Sequence, residues 1–386
     1  MYSQEIIELL TPKQKEIALL CNESGLSAAK AANKLGHDFS SFYKGVKNAK
    51  RKLADNGEVE GLPLMTIAEG RILGKVTTQI DGSGEVKNVW YRQDEKDVKS
   101  QAYMLAAVEE LTKEIKPLPT IKKPKKASNK DILNLYTLTD VHLAMLAWDK
   151  EGGDDWDTEI AIRTVKGTFM DMLDKSPDSE ECVINQGGDW QQYDSFKPVT
   201  PQSGHILDSD TRPQKMVQAS INLMRWLIVE CLKKHKKVNV VIQTGNHDQF
   251  SSLFLQQAMI ALFEDNKRVH INDSPLPYYA FEFGKVMLGF HHGHIRRNEQ
   301  LPLVFAAGFA EIWGRTKIRD VHKGHRHHFE IKEMSGMTVI EHPTIAARDS
   351  HASHGGFFST RCAISVVYHK SGKRLGINFS EPLMID

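Results

Sequence analysis

Five short runs between residues 140 and 327 end in metal-binding side chains, and each follows a strand-like stretch. They are Asp140-Val141-His142, Gly187-Gly188-Asp189, Gly245-Asn246-His247-Asp248, His291-His292-Gly293-His294 and Gly324-His325-Arg326-His327. Runs so far apart act together only if the strands that feed them end at one edge. Open α/β sheets gather their ligands at that carboxyl edge. Alternate residues of an extended segment point to one side, so Asp140 with His142, and His325 with His327, can address a common centre. Gly187, Gly188, Gly245, Gly293 and Gly324 permit the tight turns such loops need.

The donors are carboxylates, an amide and imidazoles, with no thiolate. That mixture favours hard and borderline divalent ions: Mn²⁺ first, with Zn²⁺, Fe²⁺, Ni²⁺ or Mg²⁺ as other occupants. Two ions roughly 3.5–4 Å apart are the usual clamp for in-line attack at phosphorus. The residues therefore point to a two-metal hydrolase. Of the 17 histidines, most lie beyond residue 240, which fits that reading.

Whole-chain charge says nothing about partners, because 50 basic residues face 49 acidic ones among the 386. No apolar run approaches the roughly 20 residues of a membrane span. The start, Met1-Tyr2-Ser3-Gln4-Glu5, has no secretory pattern. Cys21, Cys182, Cys231 and Cys362 are scattered without a CxxC, as reduced thiols in a cytosol would be. The expectation is a cytoplasmic protein with no membrane attachment; a homo-oligomer stays open.

Upstream of the five runs the chain changes character. Thr11-Pro12-Lys13-Gln14 offers an N-cap, a proline at the first helical position and a capping-box glutamine. Gly25 stops that helix. Ser27–Leu35 reads as a second, alanine-rich helix closed by Gly36, and Ser40–Leu53 as a third, basic one. The segment 11–52 has nine basic and three acidic residues, 9 − 3 = +6. A basic helix neutralises phosphates, and polar residues near its start reach base edges. The candidate DNA contacts are Ser40, Ser41, Tyr43, Lys44, Lys47, Asn48, Lys50 and Arg51. The competing reading is a solvated face on a protein-binding helical domain. Through "LTPKQKEIALL", "SAAKAANKLG" and the helix after them, the segment resembles the helix-turn-helix of sigma-factor region four and response regulators.

A hairpin is expected over 72–92 around Asp81-Gly82-Ser83-Gly84, then a helix over 95–115 and a Lys/Pro linker over 116–126. From Asp131 strands and helices alternate, which reads as α/β with an antiparallel, hairpin-rich second half. The expected division is a helix-turn-helix domain over 1–60, a hairpin-helix connector with its linker over 61–128, and a catalytic domain over 129–386.

The ordered set of five runs resembles the calcineurin-like metallophosphoesterase superfamily over about residues 131–345, its phage- and prophage-encoded members in particular. More distantly it is similar to the metal-dependent nucleases of double-strand-break repair. The resemblance implies a two-sheet αββα sandwich and two divalent ions. Asp140, His142 and His327 would hold the first ion; Asn246, His292 and His325 the second; Asp189 would bridge them. His247 would be the acid for the leaving oxygen, with Asp248 orienting it. His291 is a rival to His292.

Two departures bear on substrate. Asp189 is followed by Trp190-Gln191-Gln192-Tyr193-Asp194 rather than a second acid three residues on and an Arg-Gly pair. The acid run is Gly-Asn-His-Asp rather than Gly-Asn-His-Glu. Both point away from protein phosphatases. Trp148, Trp156 and Trp190 read as core, and the insertion 194–211 as a surface loop or a substrate contact. Arg348, His351, His354 and Arg361 are further candidates to clamp phosphate. The expected function is phosphodiester hydrolysis by a DNA nuclease that the N-terminal domain targets. The alternatives are a phosphatase or phosphodiesterase of small or cyclic nucleotides, and a non-catalytic DNA-binding regulator.

Overall fold

The computed structural model describes residues 2–55, 72–80, 86–94, 121–124, 129–201 and 204–385. The chain forms two compact units, Met1–Val98 and Lys99–Asp386. In the first lie α1 (Gln4–Glu8), α2 (Pro12–Ser24), α3 (Ala28–Lys34) and α4 (Phe39–Asp55). The expected start and stop signals operate. The Thr11 amide donates to Gln14 Oε1 at 3.1 Å, and Gly25 takes the left-handed conformation (φ 65°) that ends α2. Phe42, Val46 and Ala49 recur at helical spacing and bury one face of α4 against Ile17, Ala18, Ala31 and Ala32. Helix α1, too short to carry a periodic signal, adds Ile7 to the same core. Strands β1 (Ile72–Ile80) and β2 (Val86–Asp94) pair antiparallel, as the hairpin reading expects. The helix expected over 95–115 and nearly all of the Lys/Pro linker fall outside the described residues.

The second unit stacks two sheets. The six-stranded sheet has the order β13-β12-β3-β4-β5-β6: β3 is Asn129–Leu138, β4 Ser179–Gln186, β5 Lys237–Ile242, β6 Val269–Ile271, β12 Ala363–His369 and β13 Lys373–Ser380. The five-stranded sheet has the order β10-β11-β9-β8-β7: β7 is Tyr279–Phe283, β8 Val286–Phe290, β9 Ile318–Lys323, β10 Glu330–Met334 and β11 Met337–Glu341. Alternation along each strand divides its side chains between two cores. Leu133, Leu135, Val183, Val241, Ile364 and Val366 of the six-stranded sheet face Leu288 and Phe290 of the five-stranded one. Tyr136, Leu138, Ile184 and Val240 face the other way, onto α5 (Thr158–Lys175), α6 (Pro213–Lys234) and α7 (Gln249–Phe263). Met287, Val321 and Val339 cover the outer face of the second sheet with Leu301 and Phe305 of α8 (Leu301–Gly308). The layers are helix, sheet, sheet, helix.

The second half is less antiparallel than its sequence suggests. Strand β9 runs parallel to both β8 and β11, and hairpins close the sheet only at its flanks. Three short strands, β6, β7 and β10, escape the sequence reading. The three residues of β6 are too few to show a period, and β10 is a charged edge, Glu-Ile-Lys-Glu-Met. No helix among the described residues is long and apolar enough to cross a membrane.

One polar chain ties the sheets together. Arg374 of β13 donates to both oxygens of the fully buried Asp320 of β9, at 2.9 and 2.7 Å. The Tyr368 hydroxyl of β12 donates to the same carboxylate at 2.7 Å and lies 3.0 Å from His322 Nε2. Burial pushes the His322 imidazole down to about 3, so it stays neutral within this chain. Removing Arg374 leaves a buried carboxylate without its guanidinium. Arg374→Leu is expected to cost about 3–5 kcal/mol of stability by urea titration. A loss under about 1 kcal/mol would place the pair with ordinary surface bridges instead.

Candidate metal centre

Strands β3, β4 and β5 are mutually parallel, as are β8 and β9, so each set of carboxyl ends shares an edge. The donors sit just past those ends: Asp140 after Leu138, Asp189 after Gln186, Asn246 after Ile242, His292 after Phe290 and His325 after Lys323. The β3 and β4 ladder continues beyond the strands. The amides of Asp140, His142 and Leu143 donate to the carbonyls of Gly188, Asp189 and Trp190 at 3.0, 3.0 and 2.8 Å. Two ligand loops are thereby zipped side by side.

The backbone is strained at the candidate donors. Asp140 (φ 52°), His142 (49°), Asp189 (49°), His325 (77°) and His327 (59°) are left-handed; among the described residues the one other non-glycine with positive φ is Ala144. Each such residue costs on the order of 1 kcal/mol or more, so the fold holds these side chains at an energetic cost. Glycine spacing serves the same end. A Cβ at Gly245 would fall on Asp189 Oδ1, and one at Gly324 on Thr139 Oγ1 and Asp140 Oδ2.

Two candidate ligand groups form among these loops. Asp140, His142 and His327 bring one donor atom each within 4.8 Å of one another, and so do Asp189, His292 and His325. His327 Nε2 lies 3.1 Å from Asp140 Oδ1 and 3.4 Å from His142 Nε2. His292 Nε2 lies 3.1 Å from Asp189 Oδ2, 3.2 Å from Asn246 Oδ1 and 4.0 Å from Asp140 Oδ1. That last distance links the groups. Outer contacts fix the inner ones: His292 Nδ1–H donates to the Gly187 carbonyl at 2.7 Å, and the Thr139 hydroxyl to Asp140 Oδ2 at 2.6 Å.

Electrostatics fit divalent cations. Burial alone would raise both carboxyls. For Asp140 the His327 and His292 imidazoles outweigh it, and for Asp189 His292 does, so both stay ionised well below the usual range. Burial opposes charge on His292 too, yet Asp189 and Asp140 push it up to about 10. His142 and His325 are pushed down to about 4, by burial first and then by His247 and His292 respectively, and so present neutral nitrogens. Buried carboxylates beside neutral imidazoles suit Mn²⁺, Fe²⁺ or Zn²⁺.

The rival His291 faces elsewhere. Its Nδ1–H donates to the Pro277 carbonyl at 3.1 Å, and its ring lies 4.6 Å from that of Tyr278. His247 stands beside the first group, its ring 4.8 Å from that of His142; its amide donates to Asp189 Oδ1 at 2.8 Å and its Nδ1–H to the Gln192 carbonyl at 2.8 Å. The expectation that Asp248 orients His247 meets a different arrangement. The buried Asp248 carboxylate accepts the amides of Asp189, Trp190, Gln191 and Gly245 at 2.7–3.2 Å. It clamps the loop of Asp189 to the loop that carries Asn246 and His247. Burial, then Asp189, pushes it up to about 6.

Asp194 is no ligand in this arrangement. Its oxygens accept the Phe250 and Ser251 amides at 2.5 and 2.7 Å and cap α7. Arg348 and Arg361 hold the carbonyls of Gly152 and Ile345, and Arg361 also pairs with Asp154. Trp156 and Trp190 are core, as expected, whereas Trp148 is exposed. On α4, Tyr43 (63% exposed), Lys44, Lys47 and Asn48 face solvent. Ser40 and Ser41 are exposed too, and their amides donate to Asp38 at 3.1 and 2.9 Å at the helix start. The side chains of Lys50 and Arg51 lie outside the described residues.

No family model matches the chain. Nor does any curated protein. Among solved structures the chain is similar to an archaeal phosphodiesterase, at 13% identity over 64% of this chain and 99% of that one, TM-score 0.31. It is also similar to a conserved protein of Streptococcus pneumoniae TIGR4 described as a predicted phosphoesterase, at 10% identity over 64% and 98%, TM-score 0.27. A third is Vps29 of Entamoeba histolytica complexed with zinc, at 11% identity over 64% and 97%, TM-score 0.29. These likenesses are remote, and the functional reading stands on the convergence of the five loops.

Proposed function

We propose that this chain is a two-metal phosphodiester hydrolase, and that it acts on DNA to which its N-terminal helical unit delivers it. The observation that carries the first part is the convergence of Asp140, His142 and His327 with Asp189, Asn246, His292 and His325, on a strained backbone. Two bound cations would stabilise charge on a phosphoryl group and supply a nucleophile at neutral pH. The protein's own part is placement and proton transfer. Asp189 would bridge the two ions and, through Oδ1, accepts the His247 amide. The Gln192 carbonyl takes His247 Nδ1–H, so Nε2 is the nitrogen that would carry a second proton, as imidazolium, and pass it to a leaving oxygen. Asp248 holds the two loops that carry these groups.

The DNA reading rests on the +6 segment and on the exposed Tyr43, Lys44, Lys47 and Asn48 of α4. Removing residues 1–60 should leave hydrolysis of a small phosphodiester nearly intact, because every proposed ligand lies beyond residue 139. The same deletion should weaken DNA binding and flatten its salt dependence, by about 0.9 in the slope of log K against log salt for each lost phosphate contact. A truncated protein that binds and cuts DNA as the full chain does, at every salt concentration, would make the helical unit a protein-interaction module. Purified protein with Mn²⁺, assayed on single-stranded, double-stranded and nicked DNA beside linear and cyclic nucleotides, tests the substrate. Turnover of nucleotides alone would favour the small-molecule reading.

A further inference from the structure

Gln192 makes two contacts that the motifs do not assign. It lies three residues past Asp189 and is buried, 1% exposed. Its side-chain Oε1 is 2.8 Å from His142 Nδ1, and its backbone carbonyl is 2.8 Å from His247 Nδ1. The two imidazoles it holds pack edge to face, 4.8 Å apart at 86°. An oxygen at Nδ1 requires the N–H there and leaves Nε2 without a proton on a neutral ring. In His142 that Nε2 is the atom facing His327 Nε2 at 3.4 Å, inside the first ligand group.

We propose that Gln192 is a positioning residue that couples the first ion's site to the proton donor, its side chain setting His142 and its backbone setting His247. The inference rests on the two-metal reading above. The two links are separable because the backbone is held independently. The Gln192 amide donates to the Leu143 carbonyl at 2.9 Å, and Leu143 in turn donates to Trp190 at 2.8 Å. A change of side chain therefore removes the link to His142 and keeps the carbonyl beside His247. A partner that orients a ligating histidine is worth about 10–100-fold in metal affinity. That loss should fall on one ion of the pair, because the second group has its own support, His292 Nδ1–H on the Gly187 carbonyl.

The test is a calorimetric Mn²⁺ titration of the metal-free full chain, with thermal unfolding of the metal-free proteins as the folding control. Gln192→Met keeps the length and removes the acceptor; Gln192→Glu keeps an acceptor oxygen at the same reach. The expected result is two sites in the native chain, one of them weakened about 10–100-fold in Gln192→Met, and both retained in Gln192→Glu. Native affinity at both sites in Gln192→Met overturns the proposal and leaves the two-metal reading intact. Loss of one ion in Gln192→Glu also overturns it, and that arm stands even where the Met variant fails to fold. A native chain that takes up no Mn²⁺ removes the two-metal reading itself.

Discussion

Asp189→Asn is expected to take up neither divalent ion at concentrations that fill both native sites. Losing an outer partner of a ligand already costs about 10–100-fold in affinity, so losing the shared carboxylate should cost on the order of 100-fold or more at each site. The substitution preserves shape but removes the charge that His292 Nε2 faces at 3.1 Å. It also replaces an oxygen pair with an amide beside the His247 N–H, which now bonds Oδ1 at 2.8 Å. Turnover of a small phosphodiester should fall to the uncatalysed background. Elemental analysis of dialysed protein, with calorimetric titration, reads both ions at once. An Asn variant that retains both at native affinity would show that this side chain bridges nothing.

His247→Ala should behave in the opposite way: both ions stay and turnover drops. A positioned proton donor is worth about 10²–10⁴-fold. The His247 ring bonds the Gln192 carbonyl and the Asp189 contact is made by the backbone amide, so the substitution removes no hydrogen bond from any of the seven proposed ligands. The deficit should be largest for an alkoxide leaving group and small for a nitrophenolate, which departs without a proton. Rates for a series of aryl and alkyl phosphodiesters measure this directly. An equal loss across the series would remove His247 from the acid role and leave it as packing against His142, 4.8 Å away.

The candidate donors are legible in the sequence because coordination chemistry restricts residue type and strand ends restrict place. Asp140, His142 and His327 lie together, as do Asp189, His292 and His325, with Asn246 beside His292. Helix caps were legible for the same reason: Thr11, Gly25 and Gly36 meet specific backbone needs. Side chains that work on backbone groups leave no such mark. Asp248 accepts four amides and Asp194 caps α7, yet nothing in their neighbours' types announces either role. Gln192 escaped notice because one of its contacts is made by a carbonyl, which every residue has. Sheet order was hidden as well. The central place of β9 between β8 and β11 follows from pairings far apart in the chain, beyond the reach of local periodicity.

The most direct test of the central claim is anomalous scattering at the manganese edge from crystals of the full chain soaked in Mn²⁺. Two peaks per chain are expected, one among Asp140, His142 and His327, the other among Asn246, His292 and His325, with Asp189 reaching both. A single peak, or none, under saturating Mn²⁺ and again under saturating Zn²⁺ would contradict the two-metal reading.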